Sequence, residues 1–155
     1  MKGFRHHAAE RWSETVVRGV DAPSDPRTLA LWARFAGISV GALRGWCRAA
    51  HAPARSSLYF TRMLRGLVIA RDQGWDPHNI LDIVDDRTLR ALLTRCGIEH
   101  AKKPTLEEFF CRQRLIEHRD NLSAVVSALS ERGIIVFDNS NFAQTLGRAN
   151  DCRRS

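Results

Sequence analysis

Hydrophobic residues recur at helical spacing along most of this chain. Ala8, Trp12, Val16 and Val20 stand four apart and predict a helix over residues 7–20. In the loop DAPSDP that follows, Asp25 reads as an N-cap with Pro26 in the first turn. Thr28 to Ala36 predicts a second, short helix, Gly37-Ile38 a tight turn, and Val40 to Ala50 a third helix. Beyond the connector HAPARSS, Ser57 to Arg71 places Phe60, Met63, Leu64, Leu67 and Val68 on one stripe of an amphipathic helix. GWDPHN breaks it, and Asp76-Pro77 starts a helix running to about Val84. Asp85 or Asp86 caps a further helix from Arg87 to Cys96, stopped by Gly97. Thr105 and Glu108 form a capping box ahead of Phe109, Phe110, Leu115 and Ile116, and Asn121 to Arg132 reads as a last helix ended by Gly133. IIVF, residues 134–137, is the one strand candidate, and the Asn-, Arg- and Ser-rich end looks frayed.

The expected fold is therefore all-α. A helix-turn-helix bundle with a long linker helix is joined to a C-terminal helical extension. The implied divisions are an N-terminal helix and loop (1–26), a central domain (27–98), the extension (104–137) and a flexible tail (138–155). At 155 residues the chain is one domain, or one with an appendage. No apolar run approaches the ~20 residues of a membrane span, and the amino terminus lacks a signal peptide's apolar core. Cys47, Cys96, Cys111 and Cys152 form no CxxC and read as reduced thiols, which suits a cytoplasmic protein.

Charge sharpens this picture once it is located. The net charge is +7, and residues 27–71 alone hold eight arginines (27, 34, 44, 48, 55, 62, 65 and 71) with no Asp or Glu. At the chain's average acidic density such a block would hold about five acidic residues. A concentrated positive block is the footprint of a phosphate-backbone binder.

The third helix lies inside this block and carries an anomaly. On a helical wheel Leu43, Trp46, Cys47 and Ala50 share one side, and Gly41, Arg44, Gly45 and Arg48 share the other. Each interior glycine costs about 1 kcal/mol relative to alanine. Glycine lets a backbone approach a partner closely, and arginine offers bidentate donors to phosphate or to guanine in the major groove. An outer face of bare backbone and guanidiniums makes sense if it enters a groove. Ala33, Gly37, Leu43 and Trp46 also stand where a helix-turn-helix needs a small crossing residue, a turn glycine and two apolar anchors, with Leu29, Trp32 and Ala36 filling the remaining core positions.

LALWARFAGISVGALRGWCRAA followed by SSLYFTRMLRGLVIARDQGW resembles the DNA-binding domain of AraC-type transcription regulators. FAGISVGALRGWC is similar to that family's first helix-turn-helix motif, with Leu43 and Trp46 as anchors. The resemblance covers residues 28 to about 98. It implies that Ser57 to Arg71 is the linker helix and NILDIVDDRTLRALLTRCG the second motif, anchored by Leu89, Leu92 and Leu93. That second motif has Asp85-Asp86 in place of the family's glycine-aromatic turn.

These readings converge on a cytoplasmic, bacterial-type, sequence-specific regulator of transcription that binds double-stranded DNA. Residues 39–50 would lie in the major groove, with Arg44 and Arg48 reading bases. Ser39 and Val40 would touch a base edge or phosphate, and Gly41 and Gly45 would admit the close approach. Arg34, Arg55, Arg62 and Arg65 are the candidate backbone contacts. RNA polymerase or a homodimer partner are the further contacts such a regulator implies. The rival reading is a helical protein–protein interaction module that uses the same arginines on an acidic partner without base readout. Two chemistries carry less weight: a zinc site from Cys47, His51, Cys111 and His118, and a nuclease metal site from Asp76, His78, Asp82, Asp85 and Asp86. Most of these residues are explained more simply as core or helix caps, so no catalytic residue, metal or cofactor is assigned.

Overall fold

The computed structural model describes residues 2–98 and 104–134, and these are all-helical. In chain order the helices are α1 (Lys2–Val20), α2 (Leu29–Ala36), α3 (Val40–Ala49), α4 (Ala54–Gln73), α5 (Pro77–Ile80), α6 (Asp86–Arg95), α7 (Leu106–Arg112) and α8 (Arg119–Glu131). Residues 135–137 of the strand candidate and the whole tail 138–155 lie outside the described residues.

One apolar core joins these helices. Trp12, Trp32, Phe60, Phe109 and Phe110 are its largest fully buried side chains. Phe60 lies at its centre, stacked on Phe109 at 5.4 Å between ring centroids, edge-on to Phe110 at 6.0 Å and tilted to Trp12 at 5.9 Å. Aromatic pairs in such offset arrangements stabilise a core beyond their area burial. The indole N–H of Trp12 donates to Ser57 Oγ, and that of Trp32 to the carbonyl of Thr15, so neither polar handle is stranded. Helix α1 packs along α8 and crosses α4, α2 and α3. Its approach is close at Gly19, where a Cβ would stand 2.4 Å from Thr61 Cγ2 and 2.8 Å from Trp32 Nε1. The C-terminal helices supply Leu122, Val125, Val126 and Leu129 to the same core. Asn121, also buried, donates through Nδ2 to the carbonyl of Ala50 at 2.9 Å, fastening α8 to the end of α3.

Four local expectations change. Thr28 caps α2, its Oγ1 accepting from Leu31 N, and the buried Asp25 turns inward to meet α4. Helix α5 ends at Ile80 rather than near Val84, because Leu81 turns into the core and Asp82 takes a left-handed conformation (φ 51°) that ends the helical run. Asp76 precedes α5 without a side-chain capping bond. Helix α4 is longer than its apolar stripe suggested, starting at Ala54 and ending at Gln73.

Candidate nucleic-acid interface

Helices α2 and α3 form the helix-turn-helix unit, and local chemistry dictates their junction. Gly37 sits in the left-handed region (φ 71°), which suits a residue without a Cβ. Gly37 N donates to the carbonyl of Arg34 and Ile38 N to that of Ala33, which closes the end of α2. Arg18 reaches over from α1 to donate to the carbonyl of Ala36 at 2.6 Å, placing a cation at the negative end of the α2 dipole. Ser39 then opens α3, its Oγ accepting from Ala42 N at 3.0 Å. Ala33 and Leu43 are fully buried at the crossing, as the spacing required.

The outer side of α3 is uncovered. Gly41, Arg44, Gly45 and Arg48 are all exposed, and a Cβ built on Gly45 would meet nothing within 4 Å. Arg44 and Arg48 form no ion pair among the described residues. They border an open hollow of about 410 Å³ between the end of α3 and the start of α4, lined also by Cys47, His51 and Ala52 to Ala54. Ser39 is exposed, and Val40 is half-buried against the core. Arg34 on α2 and Arg55 at the start of α4 are exposed.

Arg62 and Arg65 are placed otherwise. Both are buried, so neither offers a surface contact to a phosphate backbone. Arg62 donates through Nε and Nη2 to both carboxylate oxygens of Asp25, the shortest bond being 2.7 Å, and through Nη2 to the carbonyl of Leu81 at 3.0 Å. Arg65 donates through Nε to the carbonyl of Ala22. Burial makes the Arg65 guanidinium easier to deprotonate than an ordinary arginine, and the nearby Asp25 carboxylate opposes that shift. These two cations hold the loop between α1 and α2 onto α4. Counting charge in sequence could not separate them from their exposed neighbours, because their acid partner lies outside the block.

Trp46 also differs from expectation. It is half-buried, with one ring face covered by the guanidinium of Arg11 at 4.6 Å from the centroid. Arg11 is exposed and brings a further cation from α1 to the flank of α3. No spacing in the sequence signals this, since the two residues meet only through the packing of α1 on α3.

The second motif is shorter than a full helix-turn-helix, with α5 amounting to one turn. Its anchors Leu89, Leu92 and Leu93 are buried, and Arg87, Arg90 and Arg95 are exposed on α6. Its carboxylates are already engaged. Asp85 caps α6, accepting from Thr88 Oγ1 at 2.6 Å, Thr88 N at 3.1 Å and Arg87 N at 3.4 Å, and these bonds hold its carboxyl below the usual range. Asp86 pairs with His78 at 2.7 Å, and Asp82 with Arg27.

Among the described residues no three His, Cys, Asp or Glu side chains gather into a metal-binding group. Cys47 is buried, which raises its thiol pKa and keeps it protonated, while His51 and His118 stand 5.9 Å apart by ring centroid. No described helix is long and apolar enough to cross a membrane. No family model, curated protein or solved structure matches this chain.

Proposed function

We propose that this protein is a sequence-specific, double-stranded-DNA-binding regulator of transcription of the AraC-like type, acting in the cytoplasm. The observation that carries the reading is the exposed outer face of α3, where two glycines and two arginines with no ion pair among the described residues project from a helix anchored by Leu43 and Cys47. A helix about 10 Å across with its side chains fits a major groove of about 12 Å, and the missing side chains at Gly41 and Gly45 let its backbone sink further. Arg44 and Arg48 read base edges. Arg11, Arg34 and Arg55, all exposed around α2, α3 and the start of α4, contact phosphates and fix the register. RNA polymerase or a second copy of the chain completes the regulatory assembly.

Selection of bound duplexes from a random pool tests this directly. An enriched motif is the expected result, and log affinity falls against log salt with a slope of about −2.7 for the three phosphates that Arg11, Arg34 and Arg55 neutralise. Binding that enriches no motif refutes base readout and favours docking of the same arginines on an acidic protein.

A further inference from the structure

A second cationic feature lies away from the α3 face, in the groove between α4 and α6. A cavity of about 320 Å³ opens there, lined by Tyr59, Arg62, Ile83, Arg87, Thr88, Ala91, Leu92 and Arg95. Tyr59 is half-buried at one end, with the guanidiniums of Arg55 and Arg95 at 5.9 and 5.6 Å from its ring centroid. Ile83 and Leu92 are buried and make an apolar floor, and Ala91 leaves the wall low. The charges are unbalanced. Arg62 is neutralised by Asp25, whereas Arg55, Arg87 and Arg95 have no carboxylate partner among the described residues. The acids nearest in sequence are spent: Asp85 on the cap of α6 and Asp86 on His78.

An apolar floor, an aromatic wall and lining guanidiniums with no carboxylate partner among the described residues are the ingredients of a site for a small organic anion. The volume is roughly twice the ~150 Å³ of an apolar cavity that takes benzene, so a ring with its charged group fits. The Arg95 guanidinium, which lines the cavity beside Tyr59, supplies forked donors that match a carboxylate or phosphate, and the floor takes the ring. We infer that the α4–α6 groove binds a small aromatic anion, a ring bearing a carboxylate or phosphate, with its charge held by Arg95 beside Tyr59 and its ring on Ile83, Ala91 and Leu92. This does not depend on the α3 face reading DNA. Because α6 follows a single-turn α5 and carries the exposed arginines of the second motif, an occupant would neutralise charge on that helix.

Titration calorimetry of the full chain, without DNA, tests the inference with phenyl phosphate and benzoate as probes. Inorganic phosphate serves as the anion lacking a ring, and benzyl alcohol as the ring lacking a charge. Saturable binding of either aromatic anion, at least about tenfold tighter than both controls, is the expected result. Arg95→Gln should weaken it about tenfold or more through loss of charge-assisted hydrogen bonds. Ala91→Trp, at an exposed position, fills the groove while keeping every charge and should abolish binding with circular dichroism unchanged. Equal binding of inorganic phosphate, binding that survives Ala91→Trp, or no binding of either aromatic probe at millimolar concentration overturns the inference. So does a short duplex that occupies the groove while the aromatic anions do not. A motif recovered from random duplexes in any of these cases leaves the α3 reading standing.

Discussion

Arg62 and Asp25 form a buried, two-pronged ion pair across 37 residues, with Arg62 Nη2 2.7 Å from Asp25 Oδ2 and both side chains less than one-tenth exposed. An arginine drawn from the most basic stretch of the chain thus acts as internal scaffolding. Its charge is compensated by one carboxylate and one carbonyl, and removing it leaves Asp25 buried without a hydrogen-bonded cation, with only the charge of nearby Arg65 to offset it. Arg62→Ala should therefore cost about 3–5 kcal/mol in urea unfolding, the range for breaking a buried pair from one side. Replacing both partners by apolar residues removes the pair but also the carboxylate that offsets the buried Arg65, so part of the loss should remain. At temperatures where the Arg62→Ala variant stays folded, DNA affinity should remain within about threefold of the parent. A large uniform loss in DNA affinity with stability unchanged would restore Arg62 to the phosphate contacts.

The helices were legible in the sequence because their apolar stripes and capping residues agree. Thr105, Ser39 and Asp85 cap helices through their side chains, and Gly37 ends α2 in a left-handed conformation that suits a residue without one. Less legible was anything decided by tertiary contact. Asp25 has the credentials of an N-cap, yet Thr28 is better placed and Asp25 finds a stronger partner in Arg62. Periodicity put Trp46 on the inner face of α3, but could not show that Arg11 would cover one face of its ring and leave it half-buried. The outer face of α3 was legible for the opposite reason. Exposed residues on a short helix answer to few distant partners, so the wheel alone located Gly41, Arg44, Gly45 and Arg48.

Arg44 and Arg48 should behave as recognition residues that the fold does not need. Both are exposed and make no ion pair among the described residues, so alanine at either should change stability by no more than about 0.5 kcal/mol. Arg44→Ala should relax preference at one base pair, worth about 1–3 kcal/mol there, as read by competition among single-base variants of the selected site. Equal weakening on every sequence would assign Arg44 to a phosphate instead.

His78 gives stability near the second motif a pH dependence. Its Nδ1 lies 2.8 Å from the Ile83 carbonyl and its Nε2 2.7 Å from Asp86, and the first of these contacts is the main cause that raises its pKa above the ordinary value. The charged imidazolium is favoured in the folded state. Its contribution is complete below the unfolded value of about 6.5 and is lost as pH rises through the higher folded value. Unfolding midpoints of the parent and His78→Gln should accordingly differ most near pH 5.5 and converge toward pH 8.5. A gap that stays constant across this range would mean that the ring packs rather than titrates.

Gly45 separates a structural from a functional cause for the open face of α3. Were the glycine needed by the fold, a methyl group would collide with something; instead its Cβ would stand in open space and its backbone is helical. Gly45→Ala should therefore stabilise the protein by roughly 0.5–1 kcal/mol, the ordinary gain from alanine in a helix interior. If α3 sinks into a groove, the same methyl stands between backbone and DNA, so the variant should unfold at higher urea yet bind the selected duplex more weakly. Gly45→Val should bind more weakly still, its larger side chain adding to the same obstruction. A Gly45→Ala protein with higher stability and undiminished DNA affinity would show that nothing approaches that face closely, and the reading of α3 as the recognition helix would fall with it.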